Sequence, residues 1–218
     1  MELIIDYFLY FIIYAFIGWC IEVLCKFIEF KKFVNRGFLI GPICPIYGYG
    51  LLLILLLIGN NKTDIIGVFL KVILVCSILE YITSYFMEKI FKARWWDYSR
   101  RKFNLNGRIC LETMIPFGII GCIFIYLIHP LITHKISLLS YNIKLIISIL
   151  LVALYIVDNI ISFSVMNKIK DEINRESLDS TEFIRDKVLA WIDSNSIFYR
   201  RIKKSFPKLK IRKIISDK

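Results

Sequence analysis

The chain has 218 residues, of which 57% are hydrophobic and 15% aromatic, and its formal net charge at pH 7 is +11. A mean hydropathy of +0.63 excludes an ordinary soluble globular protein and predicts an integral membrane protein. The positive charge is concentrated in the tail from Arg200 to Lys218. Such a tail beside membrane spans is typical of contact with anionic lipid headgroups. No recognition motif for nucleic acid accompanies it, so we expect no nucleic-acid partner.

Five apolar stretches reach the length of about 20 residues that a helix needs to cross the hydrocarbon core. The first lacks a preceding basic region and carries Glu2 and Asp6, so we expect it to remain as a span rather than to be cleaved. The predicted spans are Leu3–Cys25, Phe38–Ile58, Ile65–Met87, Ile109–Leu127 and Ile143–Met166. The predicted fold is therefore an all-α integral membrane protein, with a transmembrane domain over residues 1–166 and a basic, helical, cytoplasmic tail over residues 167–218.

The charges of the connecting loops predict the orientation. Lys and Arg are frequent after the first, third and fifth spans and rare after the second and fourth. By the positive-inside rule, residues 26–36, residues 89–108 and the C-terminus lie in the cytoplasm, and the N-terminus lies outside. The protein is thus predicted to be a multi-pass protein of the cell membrane. His129 and His134 fall in the predicted outer loop after the fourth span, where we expect them to be solvated.

The second span begins with a sequence that is unlike the rest of the chain, NRGFLIGPICPIYGYG from Asn35 to Gly50, which we call the Gly/Pro segment. Proline removes a backbone donor, and glycine lets another backbone or a ligand approach closely. An interrupted backbone persists at membrane depth only when it is buried in protein or faces a water-filled cavity. The Gly/Pro segment is therefore predicted to form the wall of a site. Its expected loop-forming residues are Gly37, Gly41, Pro42, Pro45 and Gly48.

A weak internal repeat relates this segment to a later one. A shift of 71 residues places 34–37 on 105–108 and Pro45 on Pro116. Because the paired spans would run in the same direction, the pattern predicts two parallel two-helix repeats followed by a fifth span. In the tail, cap residues from Asp179 precede an amphipathic pattern that ends at Ile192, which predicts a helix on the inner leaflet or, alternatively, a docking site for a soluble partner.

Charged side chains inside spans are costly and tend to mark functional sites. By the predicted topology, four intramembrane acids including Asp158 and two Asn–Arg pairs lie at the cytoplasmic level. The candidates for substrate binding or proton coupling are Glu22, Asn35, Arg36, Glu80, Asn106, Arg108 and Glu112. The alternative is that Arg36 and Arg108 only neutralise buried glutamates and hold the helices together, and the sequence does not choose between these interpretations.

Between the third and fourth spans, Trp95 and Trp96 suit an aromatic belt at the headgroup level. Asp97 between these rings is expected to cap a turn or to pair with a nearby arginine. The chain contains no P-loop, no H-E-x-x-H and no G-x-S-x-G motif, so we expect no cofactor, no metal and no enzyme of these classes. Its six cysteines form no C-x-x-C pair and are expected to act as small buried apolar residues.

These residues together resemble a known family. Gly18-Trp19 followed by Glu22, the Gly/Pro segment, Glu80-Tyr81 and the sequence WWDYSRRKFNLNGRICLE are similar to the CmpB-like, ABC-transporter type IV membrane proteins of bacteria. The resemblance covers about residues 15–125. It implies a permease-like membrane subunit whose ATPase is a separate chain, and the 89–108 loop would be the docking surface. The EAA loop of importer permeases is not found.

The leading hypothesis is a permease-like transport protein with a cytoplasm-facing polar site between spans one to four. A non-transporting scaffold or lipid-interacting protein, which would use the basic tail and the aromatic loop, is the alternative. An intramembrane enzyme that uses carboxylates is a third hypothesis. Membrane lipids are the expected partners, with a separate ATPase subunit and a homo-oligomer as further expectations.

Overall fold

The computed structural model describes residues 1–59, 64–91, 93–175, 190–192, 194, 197–205 and 210–211. Over these residues the protein is nearly all-α. The short strands form two antiparallel pairs, β1 with β4 and β2 with β3. The elements are α1 (Glu2–Phe30), α2 (Pro45–Ile58), α3 (Ile65–Phe91), β1 (Ala93–Arg94), β2 (Asn104–Leu105), β3 (Ile109–Cys110), α4 (Leu111–Ile123), α5 (His129–Ser137), α6 (Tyr141–Arg175), α7 (Ile197–Ser205) and β4 (Lys210–Ile211).

Four helical segments among the described residues are long and apolar enough to cross a membrane, which confirms a multi-pass, all-α membrane protein. They are α1, α3, the continuous segment Leu111–Ser137 and α6 over Tyr141–Glu172. The predicted fifth span, Phe38–Ile58, is not clearly shown. It is helical only over the 14 residues of α2, a length of about 21 Å against a hydrocarbon core of about 30 Å.

The fourth span is longer than predicted and contains a π-helical turn, Phe124–Ile128, between α4 and α5. Pro130 has no N–H to donate to the carbonyl of Tyr126, so the regular hydrogen-bond pattern cannot continue through this turn. The prediction that His129 and His134 lie in a loop is wrong, because both belong to α5. The His129 ring hydrogen-bonds the hydroxyl of the buried Tyr14.

The backbone of the Gly/Pro segment is non-helical up to Cys44, and α6 supplies partners for its amide groups. The Asp158 carboxylate accepts hydrogen bonds from the N–H groups of Ile40 and Gly41, each at 2.9 Å. The N–H of Cys44 donates to the carbonyl of Ala15 on α1 at 2.9 Å. These contacts meet the requirement that an interrupted backbone in a membrane be hydrogen-bonded within the protein.

The carbonyls of the same segment are satisfied from the C-terminal part of the chain. Arg201 on α7 donates to the carbonyls of Arg36, Gly37 and Leu39, and the hydroxyl of Ser205 donates to the carbonyl of Asn35. Asp158 thus binds N–H groups of the interrupted backbone, and side chains of α7 bind its carbonyl groups.

The helices associate in two pairs, α1 with α2 and α3 with α4. Each pair is in close contact at a glycine. A Cβ on Gly48 of α2 would lie 2.6 Å from the Phe11 ring, and a Cβ on Gly121 of α4 would lie 2.4 Å from Val72. Small residues let helices approach closely in a membrane, where apolar burial gives no driving force. The predicted helix pairs are therefore present, and the symmetry between them stays a prediction.

The described part of the tail packs against protein. Tyr199 and Ile202 of α7 are buried in a cluster with Phe91 of α3 and with Met166 and Ile169 of α6. Helix α6 continues to Arg175, beyond the predicted boundary at residue 166. Most of the predicted amphipathic helix, residues 179–189, lies outside the described residues.

We predict that Asp158→Asn destabilises the protein. The amide nitrogen of asparagine cannot accept a hydrogen bond, so one backbone N–H of Ile40 or Gly41 loses the carboxylate as its acceptor, and Ile40 keeps only the longer contact with the Ser162 hydroxyl at 3.2 Å. We expect a cost of about 1–3 kcal/mol. Thermal unfolding of the purified protein in detergent, followed by intrinsic fluorescence, should show a lower midpoint. Asp171→Asn, at an exposed position on the same helix, is the matched control. Equal midpoints for the two variants would contradict this role of Asp158.

Candidate functional site

A cavity of about 200 Å³ lies between α1, α2, α3, α4 and the connection from α3 to α4. Its polar lining comes from the C-terminal half of α1, the Gly/Pro segment with the first turn of α2, α3 and the connection, whereas the rest of α2, α4 and the π-helical turn add apolar groups. The polar and aromatic lining residues are Glu22, Arg36, Tyr47, Glu80, Trp96 and Tyr98, and the apolar ones include Leu51, Ile54, Leu79, Phe117, Ile120 and Phe124.

Glu22 is fully engaged by neighbouring donors. Arg36 donates from Nε to Oε2 of Glu22 at 3.2 Å, and the Tyr47 hydroxyl donates to Oε1 at 2.7 Å. Because Arg36 follows α1 by only a few residues and Tyr47 lies in the first turn of α2, the bend between the two helices brings all three groups together. The charge of Glu22 is thus balanced within the site, as one of the two sequence interpretations requires.

Glu80 has a different environment. The Tyr98 hydroxyl donates to its Oε1 at 3.0 Å, whereas its buried Oε2 has no hydrogen-bond partner among the described residues. Glu80 is 8% exposed. Burial raises the pKa of Tyr98, and the nearby Glu80 carboxylate raises it further, so Tyr98 stays protonated and remains a donor at physiological pH. The result is a buried acid with one oxygen held in place and the other available.

A second ionic cluster joins the α3–α4 connection to the C-terminal end of α3. Glu88 Oε2 lies 3.0 Å from Arg94 Nε and 2.8 Å from Arg108 Nη2, and these side chains are 5–12% exposed. Arg108 also donates to the Ser84 hydroxyl at 3.1 Å. Arg108 therefore pairs with Glu88, and the predicted pairing with Glu22, Glu80 or Glu112 is not what the structure shows.

The two asparagines of the sequence candidates hold backbone and aromatic groups in place. Asn35 accepts from the Trp19 indole N–H at 2.8 Å and donates to the Ile40 carbonyl at 2.8 Å. Asn106 adopts a left-handed conformation with φ 53° and donates to the Tyr81 hydroxyl at 2.8 Å. Neither Asn35 nor Asn106 is among the described residues that line the cavity.

Glu112 lies on the surface, where it accepts a hydrogen bond from Arg101 at 2.7 Å. Its side chain is 51% exposed and that of Arg101 is 63% exposed, so water screens this ion pair. The structure therefore brings Glu22, Arg36 and Glu80 into one cavity and places the other four candidates around or outside it.

The predicted loop residues have identifiable roles. Gly37 has φ +96°, which side chains rarely adopt, and a Cβ on Gly41 would lie 2.8 Å from Asp158. Pro42 precedes α2 and Pro45 is its first residue, where a missing N–H costs nothing. A Cβ on Gly48 would meet α1, as described above.

The aromatic connection differs from the predicted belt. Trp95 is 3% exposed and packs in the protein core beside Phe91, because the connection folds back under α3. Trp96 lines the cavity and donates to the Arg108 carbonyl at 2.9 Å. Asp97 has both predicted roles, since it accepts from the Ser99 N–H at 3.0 Å and lies 3.5 Å from Arg94.

Sequence reasoning missed the donors that position the two acids, Tyr47 and Tyr98. The chain has 12 tyrosines, so residue type alone does not single them out. The sequence carries one partial signal, the glycine at position 18 before Glu22. In the structure, a Cβ on Gly18 would lie 2.3 Å from the Tyr47 ring, so this glycine makes room for that ring. The amide-binding role of Asp158 was also missed, although its intramembrane position was noted.

The fold and the cavity define a multi-pass membrane protein with an acidic, partly aromatic site between its helices. A family model described as "Putative ABC-transporter type IV" matches residues 9–163, and the chain belongs to this family. The match extends beyond the resemblance over residues 15–125 and includes most of α6, with Asp158. Comparisons with curated proteins and with solved structures gave no match.

We predict that Glu88→Gln destabilises the protein much more than Glu29→Gln does. Removing the Glu88 charge leaves Arg94 and Arg108 buried without their shared carboxylate, and breaking a buried ion pair costs about 3–5 kcal/mol. Glu29 is half exposed and pairs with Lys26 on the surface, so its loss costs little. Thermal unfolding of both variants measures the difference. Similar midpoints would show that the cluster does not anchor the connection.

Proposed function

We propose that the protein transports a small solute across the membrane and that the cavity is the substrate site, open to the cytoplasm. The observation that carries the proposal is Glu80, a buried acid that lines the cavity with one carboxylate oxygen lacking a partner among the described residues. Burying such an oxygen is costly unless something binds it. A substrate or a coupling proton would supply that missing contact.

The shape of the surrounding backbone supports transport. In many transporters, substrates bind near the bilayer midplane beside discontinuous helices. Here the cavity lies against the short α2, which follows the Gly/Pro segment, and against Leu111–Ser137, which contains the π-helical turn. Tyr14 packs on Phe124 beyond the apolar end of the cavity, and we propose that this contact closes the outward path.

The alternatives account for less of this geometry. A scaffold that acts through the basic tail or the aromatic connection has no need of a buried, incompletely paired acid between spans. An intramembrane enzyme would have to use the acids or Cys76, which also lines the cavity, and the sequence carries no motif that specifies a reaction for them. The described residues contain no group of three or more His, Cys, Asp or Glu side chains that could hold a metal ion.

We further propose that an ATPase subunit, as the family description suggests, docks on the loop at residues 89–108. The supporting observation is Phe103, which is 81% exposed and has φ 50°, an unusual conformation for an aromatic residue. Exposed arginine and lysine residues at 100–102 precede it. An exposed apolar side chain with basic neighbours fits a docking contact with another protein.

The transport proposal can be tested in cells that lack the gene and are complemented with variants. Metabolite profiling should identify a small solute whose ratio between cells and medium changes on deletion. We expect the wild type and Glu29→Gln to restore this ratio, whereas Glu80→Gln and Arg36→Ala should fail although they accumulate in the membrane.

Two results would contradict this assignment. Full restoration by Glu80→Gln would show that the cavity is not the site. Loss of restoration on deletion of residues 206–218, combined with full activity of Glu80→Gln, would favour the scaffold function instead.

A further inference from the structure

The cavity contains unequal numbers of acidic and basic side chains. Its acidic and basic lining residues are Glu22, Glu80 and Arg36, and Arg36 lies in hydrogen-bond contact with Glu22. The nearby arginines of the α3–α4 connection, Arg94 and Arg108, both bind Glu88. With Glu22 and Arg36 paired, Glu80 has no basic partner among the described lining residues, and a cation bound beside it would favour its ionised form. An ionised Glu80 would repel an anionic substrate, whereas a cation of charge +1 would neutralise it.

The walls favour an organic cation over a metal ion. Metal cations such as Ca²⁺ and Mg²⁺ require about six or more oxygen ligands, and the cavity wall is mainly apolar. Five aromatic rings line the cavity, and the faces of such rings attract ammonium groups while tolerating an apolar body. These rings belong to Tyr47, Trp96, Tyr98, Phe117 and Phe124.

The volume limits the size of this cation. At about 200 Å³, the cavity is smaller than the pockets of about 300–1,000 Å³ that enclose drug-sized ligands. It equals the volume of about seven water molecules, at about 30 Å³ each. A compact primary amine with one small apolar or aromatic group fits this space.

We propose that the cavity binds a small protonated organic amine, with its ammonium group donating to Oε2 of Glu80 and its apolar part against Phe117 and Phe124. This inference rests on the proposed function, because it names the substrate class of the same site. Tyr98 holds the other oxygen of Glu80 and so fixes the direction in which Oε2 accepts. Glu22 is held by Arg36 and Tyr47, so it acts as a fixed wall.

Isothermal titration calorimetry on the full-length protein in nanodiscs tests this proposal at pH 7.4, with benzylamine as the probe and empty nanodiscs as the blank. Benzyl alcohol, which has nearly the same shape and no charge, is the matched ligand control. We expect saturable binding of benzylamine that is at least about tenfold tighter than that of benzyl alcohol, as one charged hydrogen bond requires.

Variants connect the binding to named residues. Glu80→Gln should reduce benzylamine affinity about tenfold and leave benzyl alcohol unaffected, and Glu29→Gln should bind like the wild type. Because Glu80→Gln could alter folding, Phe117→Leu is the second variant. It removes a ring against which the apolar part of the ligand packs, so it should weaken the amine and the alcohol by a similar factor, and unchanged binding of both would place the ligand outside this cavity.

Several results would overturn the proposal: equal affinity for amine and alcohol, unchanged amine binding by Glu80→Gln in a folded protein, or displacement of benzylamine by millimolar Na⁺ or K⁺, which would indicate an inorganic cation site. The two proposals can fail separately. If the cell experiment identifies an anion or a neutral solute whose transport depends on Glu80, the transport proposal stands and the amine proposal is rejected. Amine binding without any transported solute would retain the site and reject transport.

Discussion

The contact between Asp158 and the N–H groups of Ile40 and Gly41 is the interaction on which the site depends. An interrupted backbone inside a membrane has polar groups that lipid cannot satisfy. A carboxylate on α6 satisfies two of the amides, and Arg201 satisfies carbonyls on the other side. With the Gly/Pro segment fixed between these two charges, Arg36 is directed to Glu22, and α2 begins where Tyr47 can reach the same carboxylate.

The acids of this protein divide into two classes. Asp158, Glu88 and Glu22 are surrounded by donors that hold the fold together, and for Glu22 this is the structural alternative that the sequence left open. Glu80 differs because its single donor, Tyr98, occupies one oxygen and the aromatic cavity surrounds the rest. Stability therefore rests mainly on the acids with several donors, and the proposed binding function rests on Glu80, whose Oε2 has no partner among the described residues.

Much of this arrangement could be predicted from the sequence. Hydropathy identified the four spanning helices that the structure shows, and it also predicted a span at Phe38–Ile58 that is not clearly shown. The glycines and prolines identified the interrupted segment, because this signal also depends on local composition. The pairing of charges could not be predicted in the same way. Arg108 binds Glu88 since the left-handed turn at Asn106 and Gly107 reverses the connection. The Asn-Gly pair is typical of such a turn, but it does not specify which distant carboxylate Arg108 then meets. Trp95 is buried because it packs with Phe91 and with residues of α6 and α7, which are distant in the chain, although an exposed belt was expected.

The central claim is that the cavity beside Glu80 opens to the cytoplasm. It can be tested most directly by labelling a single cysteine, Leu79→Cys, in a chain whose native cysteines are replaced by alanine, with a membrane-impermeant thiol reagent. Ile78→Cys is the control, because Ile78 is on the same helix but at an exposed position that is not part of the cavity lining. The account predicts that Leu79→Cys reacts in inverted vesicles and stays unlabelled in right-side-out vesicles. Labelling only in right-side-out vesicles, or in neither, would contradict it.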